Sequence, residues 1–121
     1  GVTREFCVAD GNGVVLNING VDHRCEPGSV TTFRGDDVVF ATLIDGPMRA
    51  LNLMVRDGVK HRSMQLNSAD AVVTDLSVAI AISTSSILVF DGDETELQIL
   101  DALLVNEQKT IRVLQGVVVT F

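Results

Sequence analysis

Short apolar runs separated by turn dipeptides recur along this chain from end to end. Asp10-Gly11-Asn12-Gly13, Asn19-Gly20, Pro27-Gly28, Gly46-Pro47, Asp57-Gly58, Asp91-Gly92 and Gly116 are the punctuation of β-hairpins. Glycine supplies the positive φ that such turns require. Between them the pattern predicts thirteen short strands, over 4–9, 14–18, 23–25, 29–33, 38–43, 51–55, 64–66, 75–83, 86–90, 96–99, 102–106, 110–114 and 117–120. The stretch 69–81 has a helical alternative, but Val72, Val73, Val78, Ile80 and Ile82 make a strand at least as good a reading.

A chain of 121 residues patterned in this way is all-β. It is long enough for one domain over 1–121, burying roughly two thirds of the surface its unfolded form exposes. Its five aromatic residues are all Phe, so the core has to come from Val, Leu and Ile. Many short strands of this kind close as a barrel or pack as a sandwich, which limits exposed edges. An internal echo narrows the choice. The segments 14–33 and 87–106 share an order of apolar strand, Asn-Gly or Asp-Gly turn, polar strand, kink and further strand, with Gly20 matching Gly92 at an offset of 72 residues. That repeat is the build of a duplicated, bicupin-like (RmlC-type) barrel or sandwich, with pseudo-repeats over about 1–66 and 67–121.

Charge and motif content exclude several functions. A net charge of −7 with nine scattered Lys and Arg lacks the basic footprint of a nucleic-acid binder. No apolar run approaches the roughly 20 residues that span a bilayer. Cys7 and Cys25 form neither a disulfide framework nor a metal or redox motif, and they read as small buried hydrophobes in a reducing cytoplasm. His23 and His61 are the only histidines, and neither has a second histidine nearby, so no metal cofactor is expected. His23 reads as an exposed edge residue, and His61, within Lys60-His61-Arg62, as part of a solvated loop. There is no G-x-S-x-G elbow, no Walker loop and no dinucleotide fingerprint.

What remains is the run 33–58. Leu51, Leu53 and Val55 alternate with Asn52, Met54 and Arg56, so one strand face is apolar and the other carries an amide, a thioether and a guanidinium. Arg4, Phe33, Asp36 and Arg49 are candidate neighbours. An arginine on an inward face needs an anionic partner, which a ligand carboxylate would supply through a bidentate fork. The alternative, equally open at this point, is that Arg56 and Arg49 pair with Asp57, Asp45 or Asp36 on the surface. Asp36 and Asp37 read as turn residues.

The series Phe33-Arg34-Gly35-Asp36, Leu43-Ile44-Asp45-Gly46-Pro47 and Leu51-Asn52-Leu53-Met54-Val55-Arg56 resembles the HutD/Ves family, whose members carry F-x-G-D, L-x-x-G-P and D/L-N-x-M-x-R. Gly1-Val2-Thr3-Arg4 looks like that family's P-G-x-x-R segment, and 11–33 like its hairpin and proline-glycine turn. The resemblance is good over 1–58 and thin over 61–121. It implies a metal-free, cofactor-free cupin with a duplicated barrel. For HutD it implies a regulatory role in histidine utilisation, sensing a metabolite such as urocanate or a formylated or formiminated glutamate; for Ves-type members, a stress-associated role. The ligand-facing residues carried over are Arg4, Phe33, Asn52, Met54 and Arg56. The family's upstream tryptophan and glycine-rich section has no counterpart here, and a barrel short of those strands would expose an edge that a homodimer would cover. The leading expectation is a cytoplasmic protein binding a small anionic metabolite, with no nucleic-acid or membrane partner. The alternatives are a metal-independent isomerase or hydrolase working through a His and carboxylate pair, and a structural or interaction module.

Overall fold

The computed structural model describes residues 1–106 and 109–121. It contains fourteen β-strands, and no helix among the described residues. They fall into two compact units, Gly1–His61 and Arg62–Phe121. In the first unit the strands are β1 (Val2–Gly11), β2 (Val14–Ile18), β3 (Val21–Cys25), β4 (Val30–Arg34), β5 (Val39–Leu43) and β6 (Met48–Arg56). They form two antiparallel sheets, ordered β4-β1-β6 and β3-β2-β5. Alternation then decides what is buried. Phe6, Val8 and Phe33 from the first sheet meet Val14, Leu16 and Cys25 from the second in one apolar cluster, the filling of a small sandwich.

The second unit repeats this wiring. Its strands are β7 (Gln65–Ser68), β8 (Val72–Thr74), β9 (Val78–Ala81), β10 (Ser86–Phe90), β11 (Asp93–Leu97), β12 (Ala102–Leu104), β13 (Thr110–Gln115) and β14 (Val117–Thr120). The sheets are β12-β9-β14-β7 and β11-β10-β13-β8. Strands β9 to β14 connect and pair as β1 to β6 do, and the hairpins β2–β3 and β10–β11 sit at the 72-residue offset read from the sequence. Both hairpins turn on residues with positive φ, Asn19 at 50° and Gly20 at 89°, Asp91 at 53° and Gly92 at 79°. This is the twist-matched two-residue turn that Asn-Gly and Asp-Gly favour. Ala79, Ala81 and Val118 pack against Leu88, Leu97, Ile111 and Val113 to make this unit's own core. Strands β7 and β8 are the difference: they extend β14 and β13, whereas the matching strands of the first unit, β6 and β5, end their sheets.

Local departures from the sequence pattern have local causes. The single strand expected over 75–83 is confined to β9, because Asp75 and Ser83 take φ of 58° and 65° and cannot continue an extended ladder. Val72–Thr74 becomes a separate strand, β8, and the helical alternative for 69–81 does not form. Strand β11 starts at Asp93, not at residue 96, since the Asp91-Gly92 turn sets Asp93 directly opposite Phe90. Gly13 has φ of 98°, and a Cβ there would stand 2.3 Å from the Cys25 carbonyl oxygen, so this close approach of two backbones admits no side chain.

Candidate functional site

Strand register places the five candidate residues. Arg4 on β1 lies opposite Phe33 on β4 and opposite Met54 on β6. Phe6, two residues along and so on the same face, lies opposite Asn52, and Val2 lies opposite Arg56. Arg4, Phe33, Asn52, Met54 and Arg56 therefore share one face of the β4-β1-β6 sheet, the face that also carries Phe6 and Val8 into the sandwich core. Exposure falls across that face from β6 to β4. Met54 is 62% exposed, and Asn52 and Arg56 are exposed with it because β6 ends the sheet; Arg4 is half-buried, and Phe33 is buried.

The charges on this face are unequal in their company. The Arg4 guanidinium lies over the Phe33 ring, 5.3 Å from its centroid. Its Nε is buried and has no hydrogen-bond partner. The surface alternative held for Arg49, which pairs with Asp10 at 2.7 Å, outside the aspartates considered for it. It did not hold for Arg56. Asp57 is engaged by Arg34 through two bonds of 2.8 and 2.6 Å, with the chain's amino group at 3.4 Å. Those bonds, from Arg34 first, hold the Asp57 carboxyl down at about 2. Arg4 and Arg56 thus have no carboxylate partner among the described residues. Asp37 serves the turn as expected, accepting from the Arg34 backbone N–H at 2.7 Å and from Asn19 at 2.9 Å.

The opposite face of β1 carries a pair that the sequence pattern did not reveal. Glu5 is only 3% exposed, and His61 Nε2 lies 3.1 Å from its carboxylate. His61 lies in a segment outside the strands and is exposed, as the sequence reading has it, while its ring reaches the buried Glu5. The available signal was Glu5 itself, an acid between Arg4 and Phe6 in a buried strand, which requires a partner. His23 is exposed on β3. Because Glu5 and Arg4 are adjacent on one strand, the His61–Glu5 pair and the arginine face point in opposite directions. Cys7 and Cys25 are free and buried, and burial pushes the Cys7 thiol up. No three His, Cys, Asp or Glu among the described residues are grouped to hold a metal, and with His23 and His61 so placed the donor set does not fit one. A pocket of about 250 Å3 lies beside the start of β6, lined by Asp10, Pro47, Met48 and Arg49, the Gly46-Pro47 corner forming part of its wall.

In the second unit Ala79 lies opposite Leu103 and Thr120, and Ala81 opposite Val118, the rows that match those of Phe6 and Val8 in the first. The HutD family model matches residues 1–119. The chain belongs to the HutD family. Among solved structures it is similar to HutD from Pseudomonas fluorescens SBW25, determined in a formate condition, at 24% identity and a TM-score of 0.80 over 99% of this chain and 67% of that one. It is similar also to a conserved protein of unknown function from Pseudomonas aeruginosa PAO1, at 22% identity and a TM-score of 0.78 over 99% of this chain and 69% of that one. A salicylate 1,2-dioxygenase variant from Pseudoaminobacter salicylatoxidans matches at 9% identity and a TM-score of 0.57, covering 98% and 64%. A search of curated proteins finds no significant match. These likenesses show the fold: this HutD-family chain is all-β and cupin-like, with its sheets packed as sandwiches.

Proposed function

We propose that this HutD-family chain binds a small anionic metabolite on the β4-β1-β6 face, in a cytoplasmic regulatory or stress-associated role. Arg4 and Arg56 neutralise a carboxylate, Asn52 donates and accepts hydrogen bonds, and Phe33 and Met54 supply apolar walls. The observation that carries this reading is Arg4 Nε, a buried donor beside an aromatic ring with nothing to bond to. Buried polar groups are nearly always satisfied, and one left open against an aromatic ring, on a face that also carries Asn52 and Arg56, suits an acceptor that arrives with a ligand. The family's link to histidine utilisation makes urocanate and formylated or formiminated glutamate the first compounds to try.

The acid-base alternative rests on His61 and Glu5, the one His–carboxylate contact among the described residues. That pair faces away from Arg4 and Asn52, so one substrate would not meet both groups from the same side. Calorimetry and thermal denaturation with a panel of small carboxylates test the proposal. Saturation at about 100 times Kd should stabilise the protein by about 2.7 kcal/mol. Arg56→Ala should weaken that response; equal responses from the parent and the variant, or none from any carboxylate, would refute the binding reading.

A further inference from the structure

The two sheets of the first unit face each other across its apolar cluster, and register decides which residues lie on the facing sides. On β3, Cys25 lies opposite Val14, His23 opposite Leu16 and Val21 opposite Ile18. Val14, Leu16 and Cys25 belong to the cluster and Ile18 packs against it, so His23 shares their face while Asp22 and Arg24 take the other. His23 is thereby turned toward the β4-β1-β6 sheet, and it is exposed because β3 ends its own sheet. Its level is set by one contact: Cys25 Sγ stands 3.3 Å from Thr31 Oγ1 on β4. The chain reverses between these strands through a turn in which the Ser29 N–H donates to the Glu26 carbonyl at 3.0 Å. Two residues away from that contact, on the same faces, stand His23 on β3 and Phe33 on β4. Phe33 is the ring beneath the Arg4 guanidinium. This flank of the sandwich corresponds to the one that β11 and β12 form in the second unit, where β7 and β8 lie on the opposite flank.

The ionisable groups on these facing sides are all basic. The residues of β1 to β6 that point inward include Arg4, Arg56 and His23, and no Asp or Glu. No hydrogen bond or ion pair engages the His23 ring among the described residues. The second unit has Thr95, opposite Leu88, at the matching place. We propose that His23 is a ligand-binding residue of this site, donating a ring N–H to a second acidic group, so that the anion taken is a dicarboxylate held between the two sheets. Resting on the carboxylate reading above, this puts Arg4 and Arg56 on one carboxylate from one sheet and His23 on the other from the facing sheet. A histidine gains its charge between about pH 8 and 5, so the second contact strengthens on acidification. The charged groups facing His23 from the opposite sheet are those two arginines; Asp22 accepts from Asn17 and Glu26 from Arg24, both away from the inner face, so no carboxylate of these strands competes for the imidazolium.

Glutarate and pentanoate have similar length and differ by one carboxylate, so calorimetry with the pair isolates the second contact. At about pH 6 the parent should bind glutarate about tenfold more tightly than pentanoate, and the preference should shrink by about pH 8. His23→Thr copies the second unit's matching position at an exposed site, where the fold is not at stake. That variant should lose both the preference and its pH dependence while binding pentanoate as the parent does. A parent that binds the two acids equally, or a His23→Thr protein that keeps the glutarate preference, overturns the inference and leaves the carboxylate reading standing. A parent that binds neither acid overturns both.

Discussion

Replacing Arg4 by Met should leave the unliganded protein more stable and the liganded protein less so. The side chain's stem packs on the face shared with Phe6 and Phe33, and Met keeps most of that volume. What is lost is the contact between the guanidinium and the Phe33 ring, worth about 0.5–1 kcal/mol at a partly exposed site. What is relieved is the buried Nε with no partner, a group whose desolvation costs about 1–3 kcal/mol. The difference favours the variant by about 1 kcal/mol, or roughly 3–5 °C in Tm for a chain of this size. Urea and thermal unfolding of both proteins, without ligand and with a millimolar carboxylate that stabilises the parent, measure the two sides separately. The expected result is a crossover: Arg4→Met above the parent when unliganded, and unresponsive to the carboxylate. A variant that loses 1 kcal/mol or more without ligand would refute the reasoning, because the guanidinium would then be holding the fold together and not waiting for an acceptor.

Other consequences are simpler to state. The Asp57 carboxyl is held at about 2 in the folded state against an ordinary 3.8, so the Arg34–Asp57 contribution is fully present above pH 4 and is lost as the pH falls through 2; acid titration of Asp57→Asn should lack that component of the parent's curve. Gly13→Ala should destabilise strongly, by more than 2 kcal/mol in urea unfolding, because its Cβ meets the Cys25 carbonyl; Gly20→Ala, at φ 89° with nothing within 4 Å, should cost only about 1 kcal/mol. Both cysteines should resist a thiol reagent in the native protein and react together on unfolding, and rapid labelling of the folded chain would contradict their burial.

The parts of this structure that could be read from sequence are those decided by neighbours in the chain. Asn19-Gly20 and Asp91-Gly92 announced two hairpins and their 72-residue spacing, because a two-residue turn fixes its own geometry. The alternation from Leu51 to Arg56 announced the two faces of β6 for the same reason. What depended on distant chain was hidden. Nothing local distinguishes Arg34, which takes Asp57, from Arg56, which does not; the ladder joining β1 to both β4 and β6 decides that. Likewise, the partner of Glu5 is His61, 56 residues away, and it is supplied by a segment with no strand pattern of its own. The extra strand β8 was missed because Asp75 adopts a left-handed backbone that its residue type permits but does not require.

The duplicated wiring has a consequence for how this chain can change. Each unit encloses its own apolar cluster, and that of the second unit is built from Val73, Leu76, Ala79, Ala81, Leu88, Leu97, Val105, Ile111, Val113 and Val118, without an ionisable group. Substitutions along Arg4, Asn52 and Arg56 remove nothing from that cluster. The surface chemistry of the first unit's sheet can therefore be changed residue by residue while the apolar side chains that fill the second unit all stay as they are.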